Sequence, residues 1–301
     1  MAATGTDLQP VLEGDALDRP PVHDLTLREI EGPSALGGSL RRFIFLTRTI
    51  AVTEFKLRFY GSVLGYFWQL FRPLLLFAVL YLVFTHLVRV GDAVKDYPIV
   101  LLMNIVLFQF FGEGASAVTS VVDREQLVRK IQVPRLAIPL AVTLTAVFNV
   151  VLNVIVVLIF AGIYGIDLHW GWFEVPFLLA ALALFAAGFA MLVSALYVRY
   201  RDIKPIWDVF MQMLFYATPV IYALDGVDKL SAGVKEIIAM NPIATVLIQM
   251  RHAVIDPTAP SAATAVGGYV YLLVPLAIGV LVCVVGYRVF NREAPRIAEE
   301  L

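Results

Sequence analysis

The sequence predicts an all-α integral membrane protein with six transmembrane helices, and three observations carry that prediction. Of 301 residues, 60% are hydrophobic and only 16% are charged, whereas a soluble domain carries about 25% charged residues. Six apolar stretches, at 64–88, 97–121, 136–164, 173–198, 205–224 and 268–290, each supply the ~20 residues that a bilayer crossing needs. Basic residues then alternate along the connections. The flank before the first stretch holds Arg41, Arg42, Arg48, Lys56 and Arg58, and the first loop only Arg89 and Lys95. The second connection holds Arg124, Arg129, Lys130 and Arg135, the third none, and the fourth Arg199, Arg201 and Lys204. With Arg288, Arg292 and Arg296 after the last stretch, the positive-inside rule puts both termini in the cytoplasm, at a plasma (inner) membrane.

Residues 1–35 are rich in Pro, Gly, Asp and Glu. They lack the basic start and short apolar core of a secretory signal and read as a disordered cytoplasmic tail. Residues 36–62 read as an interfacial amphipathic helix. At 100° per residue Phe43, Leu46, Ile50 and Leu57 fall on one side and Arg41, Arg48 and Lys56 opposite, although Phe45, Val52 and Phe59 blur the pattern.

The six spans occupy 63–290, and the stretch 57–73 forms their cytoplasmic mouth. Gly61 and Gly65 serve there as a hinge or as close-packing positions, Trp68 suits headgroup depth, and Pro73 leads into hydrocarbon. Between the second and third spans, 123–135 is a charged cytoplasmic helix stopped by Pro134, with Leu127, Val128 and Ile131 suited to docking on a partner. The connection 225–266 is too apolar for a solvated loop. Its half-length segments 234–240 and 243–255, split by Asn241-Pro242, read as a re-entrant pair. Residues 291–301 form a cytoplasmic C-terminal tail.

Two charges lie inside spans. Arg72 and Glu113 each sit about 12 Å from the cytoplasmic end of their helix. Charges at that depth pair or line a cavity, so Arg72 and Glu113 are expected to pair with each other or jointly to line the cytoplasmic vestibule.

Much chemistry is absent. The lone Cys283 allows no internal disulfide. No G-x-x-x-x-G-K-[ST] loop cradles nucleotide phosphates, and the four histidines form no cluster and no H-E-x-x-H. A net charge of −1 carries no nucleic-acid signal. No catalytic residue, metal or bound cofactor is expected on this chain.

The run Lys56-x-Arg58-x-x-Gly61-x-x-x-Gly65-x-x-Trp68-x-x-x-x-Pro73 resembles the signature of type-2 ABC exporter permeases of the polysaccharide and polyol-phosphate family. Three later features fall in the same order. They are the charged helix ending Val133-Pro134-Arg135, then Arg201-Asp202-Ile203, then Ala217-Thr218-Pro219-Val220-Ile221-Tyr222 leading to Asn241-Pro242 and Arg251. The resemblance covers residues 41–291. It implies a homodimeric permease that works with two copies of a separate cytoplasmic ATPase, which holds ATP and Mg. The implied cargo is a lipid-linked polysaccharide such as O-antigen, teichoic acid or cell-wall galactan, and the Ala- and Val-rich composition leans towards galactan.

The resemblance makes 123–135 the coupling helix, with Asp123, Arg124, Gln126, Arg129, Lys130, Pro134 and Arg135 facing the ATPase. A lipid pyrophosphate needs cations, for which Lys56 and Arg58 are the candidates. Sugar C–H faces stack on aromatic rings, so Tyr60, Tyr66, Trp68, Tyr216 and Tyr222 are the candidate glycan path. Two rivals remain. A polyprenol-dependent glycosyltransferase needs an acidic pair, for which only Asp92 and Asp96 are available. An ion-coupled secondary transporter usually repeats its broken helix, and this sequence has one such segment.

Overall fold

The computed structural model describes residues 39–59, 65–87, 94–124, 134–227 and 230–300, and among these every regular element is helical. The order is α1 (Leu40–Phe59), α2 (Gly65–Leu82, continued by a π turn at Val83–Leu87), α3 (Tyr97–Ala115), α4 (Ala137–Ile163) and α5 (Val175–Arg199, preceded by a 3-10 turn at Trp170–Glu174). There follow α6 (Ile203–Ala217), α7 (Ala232–Ala239), α8 (Pro242–Met250, continued by a π turn at Arg251–Ile255), α9 (Ala262–Ala265) and α10 (Leu273–Glu300). Five segments are long and apolar enough to cross a bilayer: Phe67–Leu87, Tyr97–Ala115, Ala137–Ile163, Trp170–Arg199 and Tyr269–Ala294.

The core is built around α3. Its sequence is almost wholly apolar, which suits either a lipid-facing or an inner helix, and its neighbours make it the inner one. Fifteen of its nineteen residues are buried, against α2, α4 and α5. Phe111 stacks on Phe185 at 5.4 Å, and a Cβ added to Gly114 would lie 3.3 Å from Ala186 Cβ and 3.5 Å from Ala146 Cβ, so three helices meet at that glycine. The helix ends at Ala115, short of the expected 121. Residues 118–124 continue as turns, with Ser120 N–H donating to Ala117 O and Asp123 N–H to Thr119 O.

α5 and α10 cross almost backbone to backbone. A Cβ on Gly188 would lie 2.9 Å from Cys283 N, one on Gly286 would run into the Gly188 carbonyl oxygen, and the Cys283 thiol donates to Leu184 O at 3.1 Å. Small residues permit this approach where packing, not exclusion of water, holds helices together.

α1 packs along α4 and runs the same way. Phe43 is buried with Leu136, Ala137 and Ile138, Thr145 Oγ1 donates to Ala51 O at 3.3 Å, and Phe55 meets Phe148 edge-on at 5.8 Å. The contacts advance together along both helices, so α1 follows the first half of α4 instead of crossing it at one point.

The expected fifth span needs correction. Its helix ends at Ala217, after fifteen residues and about 22 Å, and Thr218–Ala223 has no helical repeat. The reason is local: Pro219 disfavours the α conformation at Thr218 and brings no N–H, and Thr218 has ψ 143°. The remaining apolar segment also breaks, since α7 and α8 with its π turn meet at 97°. Asn241 makes that corner as the N-cap of α8, accepting from Ile243 N at 3.0 Å with Pro242 in the first turn. The helix pair expected over 234–255 is therefore present as two short helices at Ala232–Ala239 and Pro242–Ile255.

Candidate functional site

Two polar constructions sit inside this apolar bundle. The first joins α1 to the end of α3 and to the turns that follow it. Glu54 and Arg58, one turn apart on α1, form ion pairs with Arg124 and Glu113 respectively. Glu113 also accepts from Asn149 Nδ2 on α4 at 2.7 Å, and Arg124 donates to Ser120 O at 3.3 Å. Burial raises the Glu54 pKa, while Arg124 and then Arg58 pull it back. Here lies the main correction to the expected charges: Glu113 pairs with Arg58 and not with Arg72, which is exposed on α2. The arginine that reaches Glu113 comes from α1 because that helix lies along α4 beside the end of α3. A double-mutant cycle in purified protein should give Arg58 and Glu113 a coupling of at least ~0.5 kcal/mol and Arg72 and Glu113 none. Coupling only in the second cycle would place the pair back on Arg72.

The second construction holds the non-helical stretch Thr218–Ala223 that follows α6. α6 and the chain after it run antiparallel to α3 in a steady register. Trp207 Nε1 donates to Ser116 Oγ at 3.0 Å, a Cβ on Gly112 would lie 3.2 Å from Met211 Cε, and Phe108 meets Phe215 at 5.2 Å. Past Ala217 the chain keeps to α3 but now spends its carbonyls on it. Asn104 Nδ2 lies 3.2 Å from both Pro219 O and Val220 O, and Tyr97 Oη donates to Ile221 O at 2.8 Å. Asn241 Nδ2 fixes the start of the stretch through Thr218 Oγ1 at 3.1 Å. These bonds satisfy backbone groups that would otherwise lie unpaired in an apolar interior. A neighbouring pair, Arg251 with Asp225 at 2.8 Å, ties the end of the stretch to the bent helices.

The remaining sequence candidates are not gathered at one point. Lys56 is exposed on α1, and Trp68 is exposed near the start of α2, stacked on Phe71 at 5.8 Å. Tyr216 is exposed at the far end of α6, thirteen residues from its start, with Tyr222 half-buried beyond it. Gly65 begins α2 and Tyr66 follows it, whereas Tyr60 and Gly61 lie outside the described residues, as do Asp92, Gln126, Arg129 and Lys130 and the tail 1–35. Of the coupling candidates, Asp123 accepts from Thr119 Oγ1 at 2.7 Å, and Pro134 is buried. Arg135 is half-buried with Nη1 unpartnered among the described residues, and that burial lowers its pKa. Asp96 sits at the N-terminus of α3 in a left-handed conformation, φ 53°. No group of three or more metal-ligating side chains occurs among the described residues.

Residues 46–255, well over half of the chain, match the ABC-2 type transporter family. The chain belongs to that family. It is thus a multi-pass membrane subunit of a transporter. It is also similar to proteins described as O-antigen export system permease protein RfbA. One from Klebsiella pneumoniae is 27% identical over 251 residues, covering 82% of this chain and 92% of that protein. Another from Myxococcus xanthus is 27% identical over 213 residues, covering 69% and 80%.

The matched region of this ABC-2 transporter takes in both polar constructions. Sequence reasoning picked out Arg58, Glu113 and Arg124 but missed their partners Glu54 and Asn149, and it missed Tyr97 and Asn104 altogether. A signal for the last two existed. They lie seven residues apart, on one face of a helix that is otherwise almost wholly apolar.

Proposed function

We propose that this ABC-2 transporter subunit is the permease of an exporter that carries a lipid-linked polysaccharide outward across the plasma membrane. It works as a homodimer driven by two copies of a separate ATPase. The observation that carries this reading is likeness, over most of both chains, to permeases described as serving O-antigen export. The cargo is a cell-surface glycan of the O-antigen, teichoic-acid or galactan kind, with galactan favoured by the Ala- and Val-rich composition. Both termini face the cytoplasm, in keeping with the alternation of Lys and Arg, and α1 starts at that surface and follows the first half of α4 inward. The bent pair α7–α8 dips into the opposite leaflet and returns.

The ion pairs give this reading a mechanical route. Residues 123–135 receive motion from the ATPase. Arg124, at the start of that stretch, is tied to Glu54 on α1, and Arg58 one turn later is tied to Glu113 on α3. A push on the coupling stretch is thereby passed to α1, whose end leads into the Gly61–Trp68 mouth. Lys56 is free to meet the phosphate of the carrier lipid, while Arg58 is held by Glu113 and is released to the phosphate only if that pair opens. Trp68 at one end, with Tyr60 and Tyr66, and Tyr216 and Tyr222 at the other offer ring faces to a sliding glycan. Contacts of that kind are weak and repeated, which lets a polymer move.

The test is ATP hydrolysis by membranes co-expressing this chain with its ATPase, with and without lipid-linked glycan. Glycan should stimulate hydrolysis, and reversing the charges of Asp123, Arg124, Arg129 and Lys130 should return the rate to the unstimulated level. Stimulation that survives the reversal would remove 123–135 from the coupling role. Failure of the two subunits to associate would remove the exporter reading itself.

A further inference from the structure

At the end of the bundle that carries the α4–α5 connection, an apolar groove runs into a polar cavity. The groove, about 310 Å³, lies between the first turns of α5, α8 and the first turns of α10, with Leu182, Val246, Leu276 and Gly279 among its walls. From Leu272, just before α10, it extends to Val280, which is about 12 Å at 1.5 Å per residue and most of one leaflet of a ~30 Å core. The cavity, about 830 Å³, shares Gln249 and Leu272 with the groove and is bounded by Glu174, His252, Ser261, Thr264 and Tyr269. Trp170, Phe173 and Tyr269 stand exposed at this level, 69–85% open to their surroundings. Exposed aromatic side chains of this kind mark headgroup depth.

We propose that groove and cavity together bind one phospholipid with a primary-amine headgroup, phosphatidylethanolamine in chemical type. The acyl chain lies in the groove and the headgroup in the cavity. Charge decides between headgroups. No Lys or Arg bounds the cavity, so an anionic lipid or a polyprenyl phosphate finds no countercharge there. The carboxylate of Glu174 accepts from Gln249 Nε2 through Oε2 at 2.7 Å, and Oε1 has no partner among the described residues. That oxygen can accept from an ammonium N–H. The hydroxyls of Ser261 and Thr264 are hydrogen-bonded to each other at 3.1 Å, which leaves one O–H to donate to the phosphate. The site is braced: a Cβ on Gly171 would run into Ala253 O, so the turn carrying Glu174 lies directly on the π turn carrying His252. Gln249 also holds Ala262 N–H at 2.9 Å.

The full-length chain, reconstituted in nanodiscs of equal phosphatidylethanolamine, phosphatidylcholine and phosphatidylglycerol, is delipidated and its retained lipid identified by native mass spectrometry. Wild type should retain phosphatidylethanolamine over each of the others roughly tenfold. Glu174→Gln keeps an acceptor for Gln249 but loses the charge, and should bring the ratio near one. Gly279→Leu fills the groove from a position whose Cβ would meet nothing closer than 3.9 Å, and should lower retention of all three lipids. Equal retention by wild type, phosphatidylcholine held as well as phosphatidylethanolamine, or a preference that survives Glu174→Gln would each overturn the proposal. Because Glu174→Gln tests the headgroup alone, misfolding of the groove variant would not rescue it.

Discussion

Replacing Gly286 with leucine should leave almost no folded protein to purify. Its Cβ would enter the space of the Gly188 carbonyl oxygen, which belongs to the backbone of α5 and cannot turn aside as a side chain can. Overpacking a well-filled interior costs about 1–3 kcal/mol when side chains can adjust. Here the two helices must separate along their whole crossing, so ~3 kcal/mol is a floor. Gly188→Leu should behave likewise, since its Cβ lies 2.9 Å from Cys283 N and 3.0 Å from Val282 Cγ1. Gly279→Ala, two turns earlier on α10, is the control. It meets only Phe185 at 3.9 Å, and it should be neutral or stabilising by up to ~1 kcal/mol through helix propensity. Size-exclusion profiles and thermal unfolding in detergent separate these cases. A Gly286→Leu variant that elutes and melts like wild type would show that α5 and α10 do not cross so closely.

The second large effect is expected at Asn104. Leucine fits its volume but donates nothing, so the Pro219 and Val220 carbonyls lose their shared donor in a place that is 5% exposed at Asn104 itself. An unsatisfied buried carbonyl costs about 1–3 kcal/mol, which puts Asn104→Leu at ~2–5 kcal/mol. Tyr97→Phe removes one bond, to Ile221 O, and should cost ~1 kcal/mol. The two should not add, because both act on one stretch. Hydrogen exchange gives the finer reading. In Asn104→Leu the amides of Val220 and Ile221 should exchange faster while those of α6 stay as in wild type. Unchanged protection across 218–223 would mean that the stretch is held by something other than α3.

Much of this architecture was legible because membrane helices announce themselves by length and composition. The first, third and fourth apolar stretches correspond to helices within about two residues, the second helix stops six residues early at Ala115, the last runs on to Glu300 through the expected tail, and Asn241-Pro242 marked a real corner. The failures have one physical origin. Hydropathy counts carbon and says nothing about hydrogen bonding, so Thr218–Ala223, apolar enough to pass for helix, was read as one. Pro219 was the warning, and the donors that make unwinding affordable sit on α3, more than a hundred residues away in sequence. The charge pair failed for a related reason. Depth along a helix predicted that Glu113 needs a cation, which it has. It could not choose between Arg72 and Arg58, because that choice depends on where α1 lies, and α1 is placed by contacts with α4 such as Phe55 on Phe148. Asn149 and Asn153, one turn apart on α4, were not singled out from the sequence, although Asn149 completes the Glu113 cluster.

The non-helical stretch Thr218–Ala223 divides the expected fifth span into two bodies. In an unbroken helix each turn is bonded to the last, and a tilt at one end is delivered to the other as by a rigid rod. After Ala217 the bonds run sideways, to Asn104 and Tyr97. The far end of the span is thus tied to α3 through its carbonyls, while α6 rests on the same helix through Trp207, Met211 and Phe215, and the two parts join at Thr218. A movement of α6 towards or away from its surroundings need not disturb the corner at Asn241 or the pair Arg251–Asp225 beyond it.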